Sequence, residues 1–337
     1  VYKYFIMHGI LLSALIARNE KSFIRPLGPY RIASHLRQNG YNIQVIDFVH
    51  LLTHDETLQL IEKFITPETK FIGLGIMIDA RHPRVRTHYS FLSLLCYRIK
   101  KTYPHLKFIV GGSVSFHWSK VHQNKKLFDY VVKGYGEDQT LALFDHYYKG
   151  TPLPPFEIMD GNIHLPEHLT NDCKYKFNST MHEWDFRDCI QPGESLPIEI
   201  ARGCIFKCSF CRYPHIGKRK DEYLKQLELV KEELIQNYQK FGTTSYYVTD
   251  DTFNADTGFV RDFTAMVKTL PFKLKYCAYL RGDLLQAHPE QEDLFLENGL
   301  ISAFFGIESF DKQTAALYDK PWSYKKGKEY ISYINND

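Results

Sequence analysis

Cys204, Cys208 and Cys211 fall within eight residues, in the run Ala-Arg-Gly-Cys204-Ile-Phe-Lys-Cys208-Ser-Phe-Cys211. Thiolates this close can converge on one metal site, and three is the informative number. A closed structural zinc site takes four protein ligands, whereas three leave one metal position open for chemistry. Three readings compete: a 4Fe–4S cluster held by three thiolates, a zinc ion completed by His215 or Cys189, and thiols that carry no metal. The setting favours the cluster. The loop follows an apolar strand, Leu196–Ala201, and precedes an amphipathic helix. In a β/α series, chemistry collects on loops that follow strand C-termini.

Three further strand ends carry charge. One runs Thr249-Asp250-Asp251-Thr252. A carboxylate there can pair with an ammonium, although aspartates also cap helices. The next runs Leu280-Arg281-Gly282-Asp283. Arg281 can hold a carboxylate or make a surface ion pair. The last runs Gly306-Ile307-Glu308-Ser309. Glu308 can accept hydrogen bonds from a ribose or an ammonium at a barrel mouth, or simply favour a following helix N-terminus.

The elements that must position these groups are legible in the apolar pattern. In residues 1–150, short apolar runs at Ile10–Ile16, Ile43–Phe48, Phe71–Ile78, Phe108–Val110 and Tyr130–Val132 alternate with amphipathic stretches. Helices are expected over Tyr30–Gln38, stopped by Asn39-Gly40, and from Thr53, where Glu56 completes a capping box. Two more are expected over Tyr89–Lys101 and Asp138–Tyr148. Such alternation predicts a parallel sheet covered on both faces. Five strands suggest a flavodoxin-like, Rossmann-like order, with ligands at the strands' C-terminal ends.

Residues 151–195 open on Thr-Pro-Leu-Pro-Pro155 and close on Gln-Pro-Gly193, which reads as a linker. From 196 to 337 the alternation resumes. The strands are Leu196–Ala201, Ser245–Thr249, Leu274–Leu280 and Ser302–Ile307. The helices cover Asp221–Lys240, Thr257–Lys268 and Glu290–Glu297, with a last one from Asp311 or Tyr324. About four β/α units make a partial barrel. The chain begins at Val1 and stops at Asn-Asn-Asp337 within this pattern, which reads as truncation at the C-terminus.

Composition narrows the classes. A net charge of +3 gives no reason to propose nucleic-acid binding. No apolar run approaches a membrane span and no signal-peptide pattern opens the chain. Seven cysteines, three of them clustered, do not form a disulfide framework, so a reducing, cytoplasmic setting is expected.

The cysteine run resembles the radical S-adenosylmethionine (SAM) signature: Cys-x3-Cys-x2-Cys, preceded by Gly203, with the aromatic Phe210 before the last Cys. The Asp250-Asp251 strand end and the Gly306-Ile307-Glu308-Ser309 run are similar to SAM-contacting motifs of that superfamily. The resemblance implies a 4Fe–4S cluster on Cys204, Cys208 and Cys211. SAM would be contacted by Phe210, Asp250 or Asp251, Arg281, Glu308 and Ser309. It also implies an electron donor such as flavodoxin or ferredoxin, and a small-molecule substrate. One electron would cleave SAM to methionine and a 5′-deoxyadenosyl radical.

The first 150 residues resemble the cobalamin-binding module that precedes many such barrels. The matching stretches are Pro26–Tyr30, Val45–Phe48, Val110-Gly111-Gly112-Ser113 and Gly134-Tyr135-Gly136-Glu137. Gly111, Gly112, Gly134 and Glu137 are the candidate cobalamin contacts. The cobalt-ligating Asp-x-His-x-x-Gly motif is absent, and Asp79 and His82 have the wrong spacing for it. Modules of this class that lack the motif either bind cobalamin without a protein axial ligand or have lost it. With cobalamin, the expected reaction is methyl transfer to an unactivated carbon; without it, ring formation or rearrangement. The methylthiotransferase branch fits less well, since its first domain carries three more cluster cysteines and this one has only Cys96. The competing class is a non-catalytic, degenerate barrel whose cysteines bind zinc, behind a small-ligand-binding first domain.

Overall fold

The computed structural model describes residues 6–13, 24–75, 91–112, 128–159, 162–165, 175–211, 223–309, 311–318, 327, 329 and 332. The chain divides into two compact units, one of residues 1–175 with 182–189, the other of 176–181 with 190–337.

In the first unit the described elements are β1 (Gly9–Leu12), α1 (Leu27–Gln38), β2 (Ile43–Ile46), α2 (His54–Glu62), β3 (Phe71–Gly75), α3 (Phe91–Thr102), β4 (Lys107–Gly112), β5 (Tyr130–Lys133), α4 (Glu137–Lys149), β6 (Glu157–Met159) and β7 (Asn162–Leu165). They form a sheet of order β2-β1-β3-β4-β5-β7-β6. All neighbours are parallel except β6 and β7. The β2-β1-β3-β4-β5 core has the expected flavodoxin-like order. Every residue of β1 and β2 is buried, as a sheet covered on both faces requires. Ile10, Leu12, Ile72, Leu74, Phe108 and Val110 pack with Leu95, Cys96 and Ile99 of α3 on one side. The capping box of α2 forms as its sequence predicts, with the Glu56 N–H on Thr53 Oγ1 at 3.2 Å and the Thr53 N–H on Glu56 Oε2 at 2.7 Å.

The expected linker over 151–195 is corrected. Residues 157–165 contribute an edge hairpin, β6 and β7, to the first sheet. Residues 182–189 also belong to the first unit, where Asp188 takes both Arg37 nitrogens at 2.9 and 2.8 Å. Prolines around the hairpin exclude only the middle of a sheet; an edge strand tolerates them nearby. The parts of the expected strands at 14–16 and 76–78, and the expected helix start at Tyr324, lie outside the described residues.

The second unit contains β8 (Leu196–Ile198), α5 (Leu227–Phe241), β9 (Ser245–Val248), α6 (Thr257–Val267), β10 (Lys275–Leu280), α7 (Gly282–Ala287), α8 (Glu290–Asn298), β11 (Leu300–Phe305) and α9 (Lys312–Leu317). Its described strands make a parallel sheet of order β11-β10-β9-β8. Helix α7, directly after Arg281, was not anticipated from the sequence. One sheet face carries Tyr246, Val248, Tyr276, Ala278 and Leu280, all buried. Phe253, Phe259 and Phe263 pack edge-on with Tyr276 or one another there, and Phe295 meets Phe253 at a tilt. The opposite face carries Tyr247, Tyr279 and Phe304, whose rings contact one another while Tyr279 and Phe304 stay 42% and 45% exposed. Polar pins lock the helical layer. Tyr276 donates to Asn298 Oδ1 at 2.7 Å, and Asn298 Nδ2 donates to Thr264 Oγ1 at 2.9 Å. Gly299 ends α8 at φ +91°, where an added Cβ would lie 2.0 Å from the Leu274 carbonyl oxygen. Only glycine fits that turn.

Candidate metal centre

The loop after β8 carries the three cysteines, and its stem is clamped from two sides. Lys225 N–H donates to Ile200 O at 2.8 Å, and Arg202 N–H donates to Tyr223 O at 3.0 Å. Beneath the stem, Asp250 Oδ1 accepts the Ile200 N–H at 2.9 Å. A buried ion pair, Lys225 with Glu233, and the Phe177 ring 5.6 Å from Lys225 Nζ fill the space behind. Gly203 adopts φ +86°, which turns the chain out of the strand into the loop. The Cys211 N–H then donates to Cys208 O at 2.9 Å and tightens the loop's far end.

Cys204, Cys208 and Cys211 are all half-buried and none is in a disulfide. Loops from the neighbouring strands reach them. Cys204 Sγ lies 3.4 Å from Thr252 Oγ1, after β9. Arg281 Nη1, after β10, donates to Cys208 Sγ at 3.5 Å. Ser209 Oγ donates to Leu317 O at 2.6 Å and the Phe210 ring meets Tyr318 edge-on, so α9 also braces the loop. Burial pushes the Cys204 thiol up, against the Thr252 hydrogen bond, and the nearby Asp251 and Cys211 raise it further. Among the described residues no three His, Cys, Asp or Glu side chains are already gathered around one ion position. The donor set itself fits an iron–sulfur cluster: three thiols on one loop, none of them in a disulfide. Of the zinc alternatives, His215 lies outside the described residues. Cys189 belongs to the first unit, with its Sγ on Arg187 O at 3.6 Å.

The two aspartates separate by burial. Asp250 is 1% exposed, with Oδ1 on Ile200 and Oδ2 buried without a partner among the described residues. Burial raises its carboxyl to about 8, outweighing the Ala201 and Ile200 backbone N–H groups that favour the charged form. Asp251 reaches solvent at its edge, but partial burial of its carboxyl, with the nearby Glu199, raises it to about 6. Of the pair, only Asp251 is exposed. A shallow cleft opens beside Asp250, bordered by Gly203, Cys204, Tyr223, Thr252 and Asp256.

Arg281 is 6% exposed. Its Nε and Nη2 donate to the two Asp283 oxygens at 3.0 and 2.6 Å, and Phe206 lies 4.0 Å from the guanidinium carbon. Sequence reasoning missed Thr252, Phe206 and the role of Asp283; only the Arg-x-Asp spacing hinted at the last. Glu308 and Ser309 follow β11 on the same end of the sheet. Glu308 is exposed at φ +62°, a conformation a non-glycine residue rarely adopts. The Ser309 N–H donates to Ile307 O at 2.7 Å, and Ser309 Oγ accepts the Asp311 N–H at 3.0 Å.

In the first unit, Gly111 and Gly112 end β4 and Gly134 follows β5. Gly112 and Gly134 pair across these ends at φ +128° and +71°. Glu137 is buried at the first turn of α4, immediately beyond. The four expected residues therefore share the C-terminal edge of this sheet. Asp79, His82 and Ser113 lie outside the described residues.

The chain is thus a two-part α/β protein: a flavodoxin-like unit followed by a parallel β/α unit with a three-cysteine loop after its first strand. Residues 198–334 match the family model described as the radical SAM superfamily. The chain is 22% identical over 333 residues to the hopanoid C-3 methylase of Methylococcus capsulatus, covering 94% of this chain and 60% of that protein. It is similar in fold to a structure of the cobalamin-dependent SAM radical enzyme OxsB with aqua-cobalamin and SAM bound. There the TM-score is 0.70 at 16% identity, over 95% of this chain and 46% of that one. It is likewise similar to the radical SAM methyltransferase TsrM of Kitasatospora setae with cobalamin and a 4Fe–4S cluster bound. That match has a TM-score of 0.68 at 14% identity, over 98% of this chain and 65% of that one. The chain thus spans about half to two-thirds of the length of these proteins.

Proposed function

We propose that this chain is the cofactor-binding part of a radical SAM enzyme, and that the enzyme is a cobalamin-dependent methyltransferase. The observation that carries the reading is the gathering of the Cys204, Thr252, Cys208 and Arg281 side chains where three parallel strands end. Cys204, Cys208 and Cys211 would hold a 4Fe–4S cluster and leave one iron position to SAM. When bound, such a cluster supplies the electron that cleaves SAM reductively. Asp251 offers a carboxylate to the SAM ammonium, and Glu308 with Ser309 offers acceptors to its polar edge. The Phe210 backbone lies against the adenine. Three of the five guanidinium N–H groups of Arg281 are engaged by Asp283 and Cys208, and the others can meet the SAM carboxylate.

The name of the hopanoid methylase and the cobalamin of the two structural relatives support methyl transfer. In this reading Gly111, Gly112, Gly134 and Glu137 line the cobalamin site, where positive-φ glycines let backbone approach a ligand closely. Hydrogen abstraction without cobalamin is the runner-up within the same class. A small organic molecule is the substrate, and a flavodoxin or ferredoxin the electron donor. A cytoplasmic location suits free thiols, and no helix among the described residues is long and apolar enough to cross a membrane. The test is anaerobic reconstitution with iron and sulfide, followed by dithionite, SAM and cobalamin. Cleavage of SAM and base-off cobalamin binding are expected. A colourless zinc protein inert to SAM would overturn the reading, and a brown protein that binds no cobalamin would remove methyl transfer.

A further inference from the structure

Arg281 is fixed with more contacts than binding a mobile ligand would need. Its main-chain N–H donates to Asn254 Oδ1 at 2.8 Å, and Asn254 Nδ2 donates to its carbonyl at 3.0 Å. Asn254 is itself buried and held by Gln291 Oε1 at 3.2 Å. The guanidinium is clamped in its own plane by both Asp283 oxygens. Phe206, from the cysteine loop, packs 4.0 Å from the guanidinium carbon. Nη1 donates to Cys208 Sγ, 3.5 Å away. Arginine does not lose its proton in proteins, so the charge is permanent.

Resting on the cluster reading above, we propose that Arg281, partly balanced by Asp283, is a positioning residue that donates an N–H···S bond to Cys208 and raises the reduction potential of the bound 4Fe–4S cluster. Reduction adds one negative charge to the cluster and its thiolates. A donor and a fixed cation beside one sulfur stabilise the reduced form more than the oxidised one. The carboxylate of Asp283 works in the opposite direction, because it cancels part of the arginine's field. The pair is therefore a lever with two arms of opposite sign.

The experiment is a redox titration of the anaerobically reconstituted protein in the absence of SAM, following the paramagnetic signal of the reduced cluster. Wild type is compared with R281M, R281K and D283N at matched iron content. The midpoint of R281M should shift negative, R281K should lie between it and wild type, and D283N should shift positive. An unchanged midpoint in R281M overturns the proposal. If R281M takes up no iron, D283N decides: a shift to negative values, or none, overturns it. A wild-type protein that forms no cluster would instead sink the cluster reading itself, so the two failures are told apart by the wild-type spectrum. A purely structural arginine would lower iron content or stability and leave the midpoint of the loaded fraction unmoved.

Discussion

Asp250 Oδ1 accepts the N–H of Ile200 at 2.9 Å, which joins the end of β9 to the stem of the cysteine loop. The carboxyl is enclosed, and its second oxygen has no partner among the described residues. Burial lifts it from its ordinary 3.8 to about 8. Such a group holds its proton more tightly folded than unfolded. Its contribution favours the fold most at and below about pH 4, weakens as pH rises, and levels off near pH 8. Asp250→Asn mimics the neutral acid. Urea unfolding at pH 5 and pH 8 should show a smaller loss with pH in the variant, and a higher midpoint than wild type at pH 8. An equal loss in both proteins would mean that Asp250 is charged in the fold.

Asp251 and Glu308 are the exposed carboxylates of the centre, so they should act on ligand affinity and not on stability. Asp251→Asn or Glu308→Gln should weaken SAM binding to the reconstituted protein about tenfold, the scale of one charged hydrogen bond. Equilibrium dialysis with SAM measures this. The unfolding free energy of Glu308→Gln should stay within about 0.5 kcal/mol of wild type. Unchanged affinity in both variants would move the SAM site elsewhere.

Lys225 and Glu233 pair with side chains 0% and 3% exposed, directly behind the loop stem. Removing one partner strands a buried charge, so Glu233→Ala should cost about 3–5 kcal/mol. The double variant K225M/E233L should recover most of that loss. Denaturant midpoints test both; a double variant as weak as the single would show that the charge itself supports the fold.

Gly299 sits at φ +91° against the Leu274 carbonyl. Gly299→Ala should destabilise the second unit by roughly 2 kcal/mol or more, through strain and displacement of β10. A midpoint equal to wild type would mean the α8–β11 turn can reopen freely.

Much of this architecture is written in the residue pattern. Apolar runs such as Ile43–Ile46 are too short for helices and buried on both faces, so their alternation with helices fixes a parallel sheet. The β6–β7 hairpin escaped because Glu157–Met159 is exposed throughout and gives no period-2 signal. Which aspartate is buried was in fact available. Tyr246, Val248 and Asp250 are each 1% exposed on one face, so alternation along β9 continues inward to Asp250 and outward to Asp251. The Arg281–Cys208 contact could not be read, because it joins loops 73 residues apart in the chain. Its geometry depends on how β8, β9 and β10 line up side by side.

The central claim is that Cys204, Cys208 and Cys211 hold one iron–sulfur cluster. It is tested most directly by the iron and sulfide content of the anaerobically reconstituted chain. The account predicts about four iron and four sulfide per chain, lost in Cys204→Ala, Cys208→Ala and Cys211→Ala. One zinc per chain without sulfide, or full iron retention in any of the three variants, would contradict it.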